Sequence, residues 1–307
     1  MTPVRHRRRM AITRRRGMIA TMVRTDVPRT SYAVVTAAGL AVFLLAYLWL
    51  AVTGNAEVTA SADPGAAKAS LWAAALPALA AMALARLVPP GRAVPGPLAG
   101  LPRRRVARES RALVAAAVAF PIVIIIQPGD LWYPLIKVLL LLAVPLAAFR
   151  LLRDGGPAAR AIPAPVVWLA PLPAMAAWFL LAKVSPLAPP LTQELPDPVT
   201  LAVISLITLL TASVLEEIFY RGWLQTRLET LYGRWPAILA SSLLFAAMHV
   251  SHLEGDLGPG LASMVAFQGV FGLMQGYLWS RYRNIWAVIA IHVAVNLVYI
   301  DMLFQGS

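Results

Sequence analysis

The 307-residue chain contains no cysteine, which excludes disulfides, thiolate metal sites and a cysteine nucleophile. Charge is scarce and lopsided: Asp, Glu, Lys and Arg make up 13% of the chain, with 14 acidic against 27 basic residues. That charged fraction is about half the level of an ordinary soluble domain. Polar faces are missing as well. Apolar runs are hydrophobic all round, where an amphipathic surface helix would show a polar stripe, so lipid is their expected solvent. The net charge of +13 does not point to nucleic acid, because the arginines sit at the ends of apolar segments and no aromatic-basic module accompanies them.

What is abundant is length of apolar sequence. Nine segments are read as candidate spans: 32–53, 69–89, 112–127, 131–149, 162–183, 198–220, 236–250, 260–280 and 285–304. Each approaches the roughly 20 residues that cross a bilayer as a helix. The expected architecture is therefore all-α, a polytopic transmembrane helical bundle of about 8–9 spans. The third segment is short and carries Pro121, so with the fourth it forms either two full spans or a re-entrant hairpin. Arginines fall in or beside the tail and the stretches 86–111, 150–160, 221–234 and 281–283, while the alternate loops hold Glu57, Asp63, Asp130, Glu194, Asp197, Glu254 and Asp256. By the positive-inside rule the N-terminus is cytoplasmic. Residues 1–30 read as a basic cytoplasmic tail touching anionic lipid. Arg14-Arg15 reads as part of that tail and not as a cleaved twin-arginine signal, because the apolar segment starts far downstream and is long enough to be retained. Loop 90–111 shows no helical period and reads as a linker, and Lys137 is expected to snorkel toward the outer face. Residues 31–190 form the N-terminal transmembrane helices.

Ionisable residues are costly in a bilayer and mark function there by default. Three patterns stand in separate apolar segments: Glu216-Glu217 with Arg221, Phe245 with His249, and His292 with Asn296. Glu217 and Arg221 are four apart and share a helix face, which turns Glu216 about 100° away, toward a cavity. A carboxylate in a low-dielectric pocket is a stronger base than one in water. His292 and Asn296 also share a face one turn apart, as two donors for an oxyanion. The bland readings are an interfacial charge cluster, a structural histidine and helix–helix glue. With the sixth helix continuing to about Arg227, a rise of 1.5 Å per residue puts Glu216 about 16 Å, His292 about 12 Å and His249 about 20 Å from the cytoplasmic ends of their helices. One cavity opening to the cytoplasm accommodates all three.

In this order the motifs resemble the CPBP family of CAAX-processing and bacteriocin-processing (Abi) intramembrane proteases, whose pattern is EExxxR, FxxxH and HxxxN or HxxxD. The resemblance covers residues 195–305, which it marks as the catalytic transmembrane core. It implies that Glu216 and His249 activate water, that His292 and Asn296 stabilise the tetrahedral oxyanion, and that Glu217 and Arg221 support Glu216. The implied function is an intramembrane endopeptidase acting on a membrane-associated or lipidated protein or peptide in a bacterial inner membrane, with lipid as a partner and no nucleic acid. A glutamate-type mechanism without cofactor is favoured. The metalloprotease alternative would place zinc on Glu216, His249 and His292. Two other readings stand beside it: a catalytically silent immunity or scaffold protein, and a transporter with a proton relay, against which the absence of an inverted repeat counts.

Overall fold

The computed structural model describes residues 29–59, 67–91, 98, 100–126, 129, 132–153, 167–250 and 257–305. Residues 1–28, and with them nearly all of the basic tail, lie outside the described residues, as do Asp63, Gln127-Pro128, Asp130, His252, Glu254 and Asp256. The described residues form a helical, polytopic membrane protein. In chain order the helices are α1 (Arg29–Val52), α2 (Leu71–Leu87), α3 (Arg103–Ile126), α4 (Trp132–Leu151), α5 (Leu172–Val184), α6 (Pro198–Tyr232), α7 (Arg234–Ala247), α8 (Leu257–Tyr282), α9 (Ile285–Asn296) and α10 (Val298–Gln305). A two-stranded antiparallel hairpin, β1 (Glu57–Thr59) and β2 (Lys68–Ser70), links α1 to α2.

Every candidate span contains helix, yet among the described residues five helices are long and apolar enough to cross a bilayer, or six if α9 and α10 count as one bent span. The shorter ones, α2, α5 and α7, are apolar but fall below spanning length. Two sequence readings change. The stretch Arg103–Arg111 is not linker but the first turns of α3, which runs 24 residues straight through Pro121, so 112–149 forms two membrane-length helices. The last segment is not one straight helix: it breaks after Asn296 with a 73° bend. Local chemistry sets the helix starts. Asp197 accepts from the amides of Val199 and Thr200, ahead of Pro198 at the first helical position, and those hydrogen bonds, from Thr200 above all, hold its exposed carboxyl below the usual carboxylate range. Asn284 caps α9 through Trp286 and Ala287.

Two buried apolar clusters meet on α7. Ile238 and Leu239 face a core built with α2, α8 and α9, while Phe245 and Met248 face one built with α3 and α6. α8 approaches its neighbours through Gly272 and Gly276, the small-xxx-small spacing that lets helix backbones close up in lipid. A Cβ at Gly276 would meet Gln225 Oε1 at 2.7 Å, and the room left lets Gln225 donate to the Gly276 carbonyl at 2.8 Å. The outward faces stay apolar, as Val34, Leu44, Leu45 and Leu48 on α1 illustrate.

The arginine-bearing helix ends gather at one end of the bundle. Arg103 donates to the Leu231 carbonyl, Arg281 to the Ala85 carbonyl, and Arg283 pairs with Glu229. Beneath them Glu109 is fully buried and bridges Arg105 (2.8 Å) and Arg227 (2.8 Å), tying α3 to α6. Removing one member of such a group leaves uncompensated buried charge. Glu109→Ala should therefore lower stability by about 3–5 kcal/mol. Thermal denaturation in detergent checks this, and a loss no larger than that of Arg86→Ala, at an exposed position, would contradict it.

Candidate active site

The membrane-length helix α6 contains two widened, π-helical stretches, Leu209–Val214 and Ile218–Gln225, with one short α-turn, Leu215–Glu217, between them. Such irregular turns recur at functional sites. Here they flank both motif carboxylates. α6 runs on past Arg227 to Tyr232, as the depth estimate requires. Glu216 is 1% and Glu217 0% exposed, and the two carboxylates face different partners.

Glu217 Oε1 forms an ion pair with Arg221, 3.2 Å from Nη1, and a hydrogen bond with His292 Nδ1 at 2.7 Å. Arg221 is fixed in turn by the Gly272 carbonyl (3.4 Å) and by stacking over the Phe245 ring, 4.4 Å from its centroid. Glu217 thus orients His292 while holding Arg221. A carboxylate beside a guanidinium is acceptor only, so Nδ1 of His292 carries the hydrogen and Nε2 is the nitrogen turned to the reacting side. With Nδ1 carrying a hydrogen, Nε2 can donate only when the ring is an imidazolium.

Glu216 Oε1 is held at 2.7 Å by Lys137 Nζ, which reaches it from α4. Lys137 is 3% exposed and lies 4.5 Å from the centre of the Tyr133 ring. The expectation that Lys137 snorkels outward is thus corrected. Its side chain turns inward because a buried carboxylate facing α4 needs a cation more than that cation needs water. The other oxygen, Oε2, accepts no hydrogen bond among the described residues and lies 3.9 Å from His292 Nε2. Buried polar atoms left this way are uncommon and call for an explanation.

His249 stands just past the C-terminus of α7, in a tight turn and not inside a span, half-buried. Its Nδ1 lies 3.0 Å from the Phe245 carbonyl, an acceptor, so Nδ1 is the protonated nitrogen and Nε2 holds the lone pair. Phe245 packs beside it, ring centroids 5.1 Å apart, as the spacing predicts, and also edges His292 at 5.8 Å. The charged and titratable neighbours of Glu216 include Lys137, His292 and His249. Asn296, the last residue of α9, donates to Ser213 Oγ at 3.3 Å across to α6. The fold therefore gathers Glu216, Glu217, Arg221 and His292 by direct contact, sets His249 beside them, and hangs Asn296 one turn away on the face of α9 that meets α6. Sequence reasoning missed Lys137 and Ser213. The signal for Lys137 was its place as an ionisable residue within an apolar run. Among the described residues no three His, Asp or Glu side chains group as metal ligands.

The family model described as Type II CAAX prenyl endopeptidase Rce1-like matches residues 198–298, about a third of the chain, and covers all three motifs. This stretch of the chain is similar to that family of CAAX-type intramembrane endopeptidases. No curated protein and no solved structure matches the chain.

The ion-pair arrangement has a structural consequence. Glu217→Gln leaves Arg221, 1% exposed, without its counter-ion. A loss of about 3–5 kcal/mol in stability is expected. Thermal denaturation in detergent reads it, and a loss no larger than that of a substitution at the exposed Arg86 would contradict it.

Proposed function

We propose that this protein is an endopeptidase of a bacterial inner (plasma) membrane that hydrolyses a peptide bond of a membrane-associated or lipidated protein or peptide, with its site open toward the cytoplasm. The observation that carries the reading is Glu216 Oε2: a buried carboxylate oxygen accepting no hydrogen bond among the described residues, beside two imidazoles, in the segment matched by a protease family. Water hydrogen-bonded to Oε2 gives up a proton to the Glu216–His249 pair as its oxygen attacks the scissile carbonyl carbon. The resulting oxyanion is met by His292 Nε2–H and the Asn296 amide, the latter exchanging its contact with Ser213 for the developing charge. Collapse breaks the C–N bond, and the abstracted proton passes to the leaving amine. The clustering of the arginine-bearing helix ends supports a cytoplasmic orientation of that end.

Zinc does not fit this donor set. The cation of Lys137 already pairs with Glu216 at 2.7 Å, and among the described residues no three His, Asp or Glu side chains group as metal ligands. The mechanism is accordingly of the glutamate type. Lys137 acts as a positioning residue: it keeps Oε1 engaged and the carboxylate ionised, leaving Oε2 to water. The same ion pair is what favours the alternative of a silent immunity or scaffold protein, in which Glu216 is only a structural anion.

Proteoliposomes carrying a labelled library of membrane peptides separate the two. Wild type should cleave, Glu216→Gln and His249→Ala should lose at least about 100-fold, and a chelator should change nothing. Absence of cleavage differences between wild type and both variants would remove the protease reading. Lys137→Met should lower kcat more than it raises KM, because Glu216 then loses the cation that holds its Oε1 in place. Lys137→Arg should restore much of the rate at neutral pH. A Lys137→Met enzyme with an unchanged kcat, or a Lys137→Arg enzyme no better than Lys137→Met, would reduce Lys137 to packing.

A further inference from the structure

Where α6 meets α9, two contacts repeat with the same spacing. Glu217 meets His292 and Ser213 meets Asn296, so the partners are four residues apart on each helix and run in opposite directions. They form two rungs of a ladder, about 6 Å apart along α9 at 1.5 Å per residue. Ser213 is 0% exposed and lies in the widened stretch Leu209–Val214, one turn ahead of Glu216 and Glu217. Its Oγ accepts from Asn296 Nδ2 at 3.3 Å, and among the described residues no acceptor takes the hydroxyl hydrogen. Thr226, Ser241 and Ser242 are buried as well, and each donates to a backbone carbonyl, at 2.9, 3.0 and 2.7 Å. A buried hydroxyl that accepts without donating calls for an explanation.

We propose that Ser213 is a third donor to the oxyanion, and so a further catalytic residue. This rests on the endopeptidase reading above. An oxygen that Asn296 Nδ2 can reach lies beside Ser213 Oγ, because the two atoms are in hydrogen-bond contact. A negative charge arriving there would meet the lone pairs of Oγ and be repelled. A hydroxyl rotates freely to present its hydrogen instead. Ser213 then changes from acceptor to donor as Asn296 lets go of it, and both hydrogens converge on the new charge. The bond so formed is charge-assisted, shorter and stronger than the neutral contact it replaces. It exists only once the carbonyl oxygen has become negative, so it lowers the barrier without tightening substrate binding. Ser213 keeps its proton throughout, and the nucleophile remains the water at Glu216. The ladder sets this geometry: one rung holds His292 by Nδ1 with Nε2 toward the reaction, and the other holds Asn296 and Ser213 one turn away.

The test is a double-mutant cycle in proteoliposomes, with a peptide that the wild type cleaves. Ser213→Ala should lower kcat by about 100-fold, the usual loss for one oxyanion donor, and leave KM nearly unchanged. In an Asn296→Ala background, Ser213→Ala should cost a further factor of about ten or more. A double variant no slower than Asn296→Ala would overturn the proposal, because Ser213 would then act only by holding Asn296. A second measurement reads binding. The phosphinate analogue of the same peptide carries the tetrahedral anion, and Ser213→Ala should weaken its affinity about tenfold or more while leaving that of the uncleaved amide unchanged. Equal affinity of wild type and variant for the phosphinate would overturn the proposal too. Ser213→Cys fills similar space with only a weak donor and carries the same expectations where the alanine variant fails to fold. A wild type that cleaves nothing and does not prefer the phosphinate to the amide would remove the endopeptidase reading and this inference with it. Cleavage by wild type with an unaffected Ser213→Ala would remove the inference alone.

Discussion

Two adjacent carboxylates buried in one membrane helix constrain the whole molecule. Glu216 and Glu217 are both withdrawn from bulk solvent, so each must be neutralised by a partner brought from elsewhere in the chain. Glu217 takes Arg221 from its own helix and His292 from α9, and Glu216 takes Lys137 from α4. These contacts fix which faces of α4, α6 and α9 meet. The apolar packing around them is interchangeable by comparison. The close approach of α8 at Gly272 and Gly276 serves the same end, letting Arg221 and Gln225 each donate to one of its backbone carbonyls.

The second buried charge group, Arg105–Glu109–Arg227, repeats the solution nearer the membrane surface, again on α6 and again with a partner from the N-terminal half. The N-terminal helices carry no part of the three motifs, yet they supply the counter-ions for α6 at two depths. Their role is electrostatic as well as steric: without α3 and α4 the matched segment would hold two unpaired buried charges, Glu216 and Arg227.

Much of this was legible in the sequence, and the failures have a common cause. Spacing of four residues within a helix correctly paired Glu217 with Arg221 and Phe245 with His249, because a helix fixes local geometry. It could not pair Lys137 with Glu216, 79 residues apart, since hydropathy reports depth in the bilayer but not which way a side chain turns about the helix axis. Arg103–Arg111 read as linker because a run of arginines hides helical periodicity. Arg105 there pairs with Glu109, so the helix continues past its apolar part. The break after Asn296 was invisible for the opposite reason: the sequence stays apolar across it, and only backbone geometry ends α9 there.

That break bears on the chemistry. An asparagine in the middle of a straight span would sit rigidly against its neighbour. At the final position of α9, with the chain turning through 73°, Asn296 keeps its face toward α6 while the helix no longer continues beyond it. Its hydrogen bond to Ser213 is neutral and, at 3.3 Å, just past the long end of the usual range. A developing oxyanion is a better acceptor than a serine hydroxyl, and charge-assisted hydrogen bonds are roughly twice as strong as neutral ones. In the proposed mechanism, the exchange of Ser213 for an oxyanion is therefore downhill for Asn296. By contrast, Glu217 grips the Nδ1 side of His292 at 2.7 Å and leaves only its Nε2 to act. The two donors assigned to the oxyanion are thus built differently, one held weakly so that it can switch partners and one held tightly so that its ring cannot turn.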